Sequence, residues 1–334
     1  MRILVTGGAG FIGSHFTRAA CRAFPRARVT VLDKLTYCGV RANLDGLKGR
    51  RGFRFVRGDV CDTQLVGKLL RDCDLLVNFA AETHVDRSLL AAGDFLRTSV
   101  FGAFTLLEAA RRLGHPRRIL HMSTDEVYGP VMRGAAGEDS RLDPSSPYSA
   151  SKAGADLLAL AYHRSFGVPV VIARACNIYG PRQFPEKLIP LMVTNALRGL
   201  SLPVYGDGRQ EREWLFVTDA CRALLTIARR GVPGRVYNVG SGTWRRNIDV
   251  VRRIVRRTAA SPSLIRHVTD RPGHDRRYAV KAAAVRRLGW RPLVGFERGL
   301  DLTVDWYRDN PGWWKPLLAR TRGYFRTQYG RRLR

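Results

Sequence analysis

The chain has 334 residues, 45% of them apolar, enough to bury a sizeable core in one large domain or two smaller lobes. No apolar run is long enough for a membrane span or a signal-peptide core, so membrane association is not expected and a cytoplasmic location is. The formal charge of +29 would attract polyanions, but only seven of the 57 basic residues are lysine and arginine is spread evenly, from Arg50-Arg51 to Arg331-Arg332, which reads as arginine bias and not as a nucleic-acid site.

The first predicted strand, Arg2 to Thr6, runs straight into Gly7-Gly8-Ala9-Gly10-Phe11-Ile12-Gly13, after which a helical pattern begins. Glycines at Gly7, Gly10 and Gly13 allow a tight turn and a close approach to a pyrophosphate seated at the positive end of that helix. A second strand, Val29 to Asp33, ends on an acid some 20 residues further on, where a carboxylate can bond a ribose 2′-hydroxyl and repel a 2′-phosphate. The expected cofactor is therefore NAD. Strands follow at Phe53 to Gly58, Leu75 to Phe79, Ile119 to Ser123 and Val168 to Arg174, separated by helical segments such as Leu89 to Leu113 and Ser149 to Phe166. Asp59, after the third strand, is a candidate neighbour of the adenine or a plain strand-end turn. The alternation predicts an α/β fold, a Rossmann-type doubly wound parallel sheet over residues 1–176. Beyond residue 177 the pattern loosens around Gly180-Pro181, Gly206-Asp207-Gly208 and Arg271-Pro272-Gly273, predicting a smaller substrate-binding lobe over 177–334. One strand near 235–239 is expected to return to the main sheet. The six cysteines show neither a C-x-x-C pair nor zinc-like spacing, so they read as reduced and inert, with no metal site expected.

Tyr148-Ser149-Ala150-Ser151-Lys152 places a phenol and an ammonium on one helix face. The lysine is expected to favour the phenolate, making Tyr148 a base, with Ser123 or Thr124 as a hydroxyl partner. Just upstream, Thr124-Asp125-Glu126 puts two adjacent carboxyls at the C-terminal end of a sheet strand, where open α/β folds place ligands. Elimination of water needs an acid for the leaving oxygen and a base for the carbon-bound proton, and a carboxyl pair can divide that work.

With the glycine turn joined to Tyr-x-x-x-Lys, the chain resembles the extended short-chain dehydrogenase/reductases. Through Ser123-Thr124-Asp125-Glu126-Val127-Tyr128-Gly129 it resembles their nucleotide-sugar 4,6-dehydratases. Further matches lie at Asp33-Lys34-Leu35-Thr36-Tyr37, at Phe79 to Ser88, at Phe184 to Pro190 and at Asp270 to Tyr278.

The resemblance implies a dTDP-glucose substrate, although the residues themselves do not separate thymine from uracil. It implies that Tyr148 takes the C4 hydroxyl proton, that Glu126 removes the C5 proton, that Asp125 protonates the departing C6 oxygen and that Thr124 bonds the sugar near O4. For the cofactor it adds Phe11, Ile12, Lys34, Leu35, Thr36, Val60, Ala80, Ala81 and Thr98 to Gly7, Gly10, Gly13, Asp33, Asp59, Tyr148 and Lys152. For the nucleotide sugar it implies Thr83, His84, Asn177, Lys187, Leu188, Pro203, Val204, Tyr205, Arg212, Asn247, Arg271 and His274. It also implies a homodimer built on Leu96 to Leu113 and Ser149 to Phe166. Ile178 and Ser99 stand where the family often has asparagine, two departures that bear on cofactor affinity. A UDP-sugar dehydratase, an epimerase or decarboxylase, and a non-catalytic NAD- or nucleic-acid-binding scaffold remain the alternatives.

Overall fold

The computed structural model describes residues 1–321 and Gly323; Arg331-Arg332 and the end of the lobe expected over 177–334 lie outside the described residues. Twelve strands occur among the described residues: β1 (Arg2–Thr6), β2 (Arg28–Asp33), β3 (Phe53–Arg57), β4 (Leu75–Asn78), β5 (Arg118–Thr124), β6 (Val170–Ala175), β7 (Asn177–Tyr179), β8 (Leu202–Tyr205), β9 (Glu211–Phe216), β10 (Val236–Val239), β11 (Trp244–Arg246) and β12 (Ile265–Val268). Seven form one sheet in the order β10-β6-β5-β4-β1-β2-β3, every neighbouring pair parallel. Strands such as Leu75–Asn78 and Val170–Ala175 are buried at every residue because helices cover both faces of the sheet. Phe11–Ala23 and Val217–Arg230 pack on one face, where Phe16, Ala20, Leu224 and Ile227 share a core with Val5, Val31 and Val77. The opposite face is covered by Thr63–Leu70, Gly102–Leu113 and Pro147–Phe166.

From β1 the chain winds outward through β2 to β3, then returns to β4 and winds the other way. The strand order thus reverses beside the end of β1, the place where such sheets open a crevice for ligands.

The second half of the chain is interleaved with the first. Val236–Val239 pairs with β6, and Val217–Arg230 covers the main sheet. The remainder builds a separate core, with Val193, Val204, Trp214, Ile254, Leu300 and Tyr307 packed around the three-stranded sheet β11-β9-β7 and the pair β12-β8.

The segment predicted as one helix over Leu89 to Leu113 is broken. Val85–Ser88 ends where the Leu90 and Ala91 N–H groups both fold back onto the Arg87 carbonyl, Ala92–Leu96 restarts the helix, and Arg97–Phe101 is a π turn leading into Gly102–Leu113. The wider turn lets Thr98 reach the crevice while Ser99 is buried and Phe101 is left 62% exposed.

Candidate functional site

The glycine turn is shaped by contacts that exclude any side chain. Gly7 has φ +67, and a Cβ there would come within 2.6 Å of the Phe79 carbonyl carbon; at Gly13 a Cβ would stand 2.3 Å from the Gly7 carbonyl oxygen. Helix Phe11–Ala23 therefore starts hard against β1, presenting its free N–H groups to the crevice. Asp33 braces the turn as well as facing the cleft: Oδ2 accepts from the Ala9 N–H at 2.8 Å and Oδ1 from the Leu35 N–H at 2.8 Å. Burial pushes its carboxyl up, and the two N–H groups oppose that. Lys34 pairs with Asp59 at 2.8 Å, and Asp59 also accepts the Cys61 N–H, so it closes a strand-end turn and borders the cleft at once.

One cleft runs from this turn to the ends of β5 and β6. Its walls include Gly7, Gly10, Phe11, Ile12, Gly13, Asp33, Lys34, Thr36, Asp59, Val60, Ala80, Ala81, Thr83, Thr98, Thr124, Asp125, Glu126, Tyr148, Lys152, Asn177 and Lys187. A glycine cradle at a helix start, continuous with a polar chamber, fits a dinucleotide. Leu35, at φ +59, does not line it and contributes its N–H to Asp33 instead.

Tyr148 is the second residue of helix Pro147–Phe166, and its position follows from a capping box. Ser146 Oγ accepts the Ser149 N–H while Ser149 Oγ accepts the Ser146 N–H, with Pro147 at the first helical position. Phe95 meets the Tyr148 ring edge-on at 6.1 Å. Lys152 is buried one turn on, and its ammonium donates to the Met122 carbonyl at 2.6 Å. Burial pushes the Tyr148 phenol well above its usual range, with Glu126 and Asp125 adding to the rise and a Thr124 hydrogen bond opposing it.

Thr124 ends β5 and caps the 3-10 turn Asp125–Tyr128 by accepting the Glu126 N–H at 3.3 Å. Asp125 is 2% exposed, and its Oδ2 has no hydrogen-bond partner. Burial, then the charges of Glu126 and Glu213, hold its carboxyl well above the carboxylate range. Glu126 is raised by burial too, but Arg271, Lys187 and Arg212 pull it back. The two adjacent carboxyls thus sit in different fields.

The other residues expected at the nucleotide sugar lie beyond this cleft. Arg212 is buried in β9, bonded to the Asp275 carbonyl and stacked over the Tyr278 ring at 4.4 Å. Arg271 faces Asp86 at 3.4 Å, and Tyr205 donates to the other Asp86 oxygen at 2.6 Å. His274 bonds Asp270 and meets the Tyr205 ring edge-on. Asn247 opens helix Asn247–Thr258 with its Oδ1 buried and unbonded. His84 is buried with Nε2 against the Glu186 carbonyl, Leu188 opens helix Leu188–Ala196, and Pro203 and Val204 are packed into the second core's edge.

Several residues were not legible as site residues. Glu186 lines the cleft and binds Arg87 at 2.8 Å, Asp86 braces Arg271 and Tyr205, and Cys38 and Cys176 border the cleft with thiols pushed up by burial. For Glu186 the adjacent Lys187 was the available signal. The two departures are also placed: Ile178 is a buried wall residue, and the Ser99 Oγ is buried without a partner.

Residues 4–303 match the family model described as GDP-mannose 4,6 dehydratase. The dTDP-glucose 4,6-dehydratase of Streptomyces niveus is 51% identical over 326 residues, 96% of each chain, and that of an Actinoplanes species is 50% identical over 94% of this chain and all of its own. Among solved structures, DesIV, a dTDP-glucose 4,6-dehydratase from Streptomyces venezuelae solved with NAD bound, superposes with a TM-score of 0.93 at 50% identity, covering 95% of this chain and 100% of DesIV. The chain belongs to the GDP-mannose 4,6-dehydratase family, on the branch that carries these dTDP-glucose 4,6-dehydratases.

Proposed function

We propose that this chain is an NAD-dependent dTDP-glucose 4,6-dehydratase, forming dTDP-4-keto-6-deoxyglucose by oxidation at C4, loss of water across C5 and C6, and reduction at C6. The observation that carries the reading is the placement of Asp125 and Glu126 at the end of β5, in one cleft with Tyr148, Lys152 and the dinucleotide cradle. An epimerase acting at C4 has no use for an elimination pair.

NAD would be held by the Gly7, Gly10 and Gly13 turn with Asp33, and would supply a hydride acceptor at C4 and a hydride donor at C6. Tyr148 accepts the C4 hydroxyl proton, with Thr124 holding the sugar near O4. The resulting ketone acidifies the C5 hydrogen. Glu126, kept closer to its ionised form by three nearby cations, removes that proton. Asp125, whose carboxyl is pushed well above the carboxylate range by burial and like charge, donates to the departing C6 oxygen. Arg212, Arg271 and Lys187 supply positive charge for the diphosphate.

The assembly we propose is a homodimer. Helices Gly102–Leu113 and Pro147–Phe166 pack side by side and leave Phe104, Leu157 and Phe166 exposed, with Phe101 beside them. None of the helices among the described residues is long and apolar enough to cross a membrane; the location we propose is cytoplasmic, in keeping with six free cysteines. The test offers dTDP-glucose, UDP-glucose and UDP-N-acetylglucosamine in parallel. Formation of the 4-keto-6-deoxy product from dTDP-glucose is expected to be fastest, and turnover only of a UDP-sugar would overturn the assignment.

A further inference from the structure

Beneath the Tyr148–Lys152 pair, a line of polar side chains crosses the interior of the sheet. Thr6, the last residue of β1, donates to Asn78 Oδ1 at 2.6 Å, and the Ala80 N–H reaches the same oxygen at 3.2 Å. With that oxygen occupied, the Asn78 amide nitrogen is the donor to His121 Nδ1 at 3.2 Å, which places the imidazole proton on Nε2. His121 Nε2 points at Asp156 Oδ1 across 3.8 Å, and neither atom has another partner. Asp156 is fully buried, four residues after Lys152 on the same helix. Its Oδ2 accepts from Ser123 Oγ at 2.9 Å and from Arg174 Nε at 2.8 Å.

Asp156 thus stands one helical turn from the buried Lys152, whose ammonium bonds the Met122 carbonyl. We propose that Asp156 is a positioning residue for the reaction: held by Ser123 and Arg174 and faced by His121, its carboxylate keeps Lys152 protonated beside Tyr148. The proposal rests on the reading of Tyr148 and Lys152 as the proton-handling pair.

The groups that face Asp156 and Lys152 come from several elements. Tyr148 shares their helix, His121 and Ser123 lie on β5, Arg174 lies on β6, and Asp125 and Glu126 approach Tyr148 from the turn after β5. Glu108, on the neighbouring helix, is taken up by Arg111, Arg112 and Tyr162. Arg174 spreads its charge over the Tyr128 hydroxyl and ring and the Glu138 carbonyl. His121 is held neutral, its pKa pushed well down by burial and by Lys152. Burial brings Lys152 down to about 8, and Asp156 is the charge that opposes the fall. Removing Asp156 therefore lowers Lys152 further and also removes one charge that raises Tyr148, and the alkaline limb, set by Lys152, moves toward lower pH.

The experiment measures kcat/KM against pH for the holoenzyme with dTDP-glucose. In Asp156→Asn the alkaline limb is expected about one pH unit lower, with KM for the nucleotide sugar unchanged, and Asp156→Glu should restore most of the wild-type profile. If Asp156→Asn does not fold, Ser123→Ala, which removes one of the two bonds holding the carboxylate, is expected to move the limb the same way by about half as much. A limb that stays in place in the folded variant overturns the proposal. Lys152→Met separates it from the underlying reading: full turnover there removes the Tyr148–Lys152 pair from the chemistry, whatever Asp156 does.

Discussion

Asp125 and Glu126 share a backbone turn and differ in what surrounds them. Asp125 meets Glu126 and Glu213, which make ionisation harder; Glu126 meets Arg271, Lys187 and Arg212, which make it easier. With Asp125 as the proposed acid and Glu126 as the proposed base, replacing either should stall the reaction after C4 oxidation. Asp125→Asn and Glu126→Gln are each expected to lose about 10²-fold or more in product formation while reduced cofactor builds up on addition of substrate. Stopped-flow absorbance reads both quantities at once, and unchanged turnover in either variant would take that residue out of the mechanism. The pair was legible in the sequence because adjacency at a strand end already implied a shared ligand. The inequality of the two carboxyls was not, since Glu213 and Arg212 come from β9 and Arg271 from a loop far along the chain. Tyr148 and Lys152 were equally legible from helical spacing, whereas Asp156 and His121 gain meaning only when β1, β4, β5 and β6 lie side by side.

Among the elements, the strand–turn–helix unit at the N-terminus was the easiest to read, because glycine spacing, strand composition and a following helical pattern all agree there. Its tolerance is correspondingly small. In Gly13→Ala the new methyl group would lie 2.3 Å from a backbone carbonyl oxygen and 2.9 Å from the Gly8 Cα, neither of which can move without opening the turn. That variant should lose about 1–3 kcal/mol of stability and at least about tenfold in NAD affinity. Calorimetry with and without added NAD checks both, and wild-type affinity would show that the turn does not hold the cofactor. The break at residues 89–101 was hidden by the same reasoning that succeeded elsewhere. Its apolar residues keep helical spacing, so periodicity alone reads one helix; the π turn is visible only once Thr98 must face the cleft and Phe101 must face out.

At the scale of the whole molecule, the exposed apolar surface and the closed chemistry each make a claim. A phenylalanine moved from water into an interface contributes about 1.5–3 kcal/mol, so Phe101→Asp should convert the proposed dimer to monomer at micromolar concentration; sedimentation velocity reads the outcome, and a wild-type monomer would contradict the assembly. The claim about chemistry is stricter. In the proposed reaction one cleft holds the dinucleotide cradle, the Tyr148–Lys152 pair and the Asp125–Glu126 pair, and the cofactor reduced at C4 is reoxidised at C6 within the same turnover. Deuterium placed at C4 of dTDP-glucose is therefore expected at C6 of the product, and within the same molecule. In the proposed mechanism Glu126 removes the C5 proton and a proton returns there, so product formed in deuterated water should also carry label at C5. An epimerase or a decarboxylase would leave C6 unlabelled, and an ordinary dehydrogenase would release the label in reduced cofactor. Mass spectrometry of product from a mixture of labelled and unlabelled substrate distinguishes these cases. Label scrambled between molecules or lost to solvent would mean that the hydrogen leaves the cleft between the two redox steps, and the single-site reading would fail.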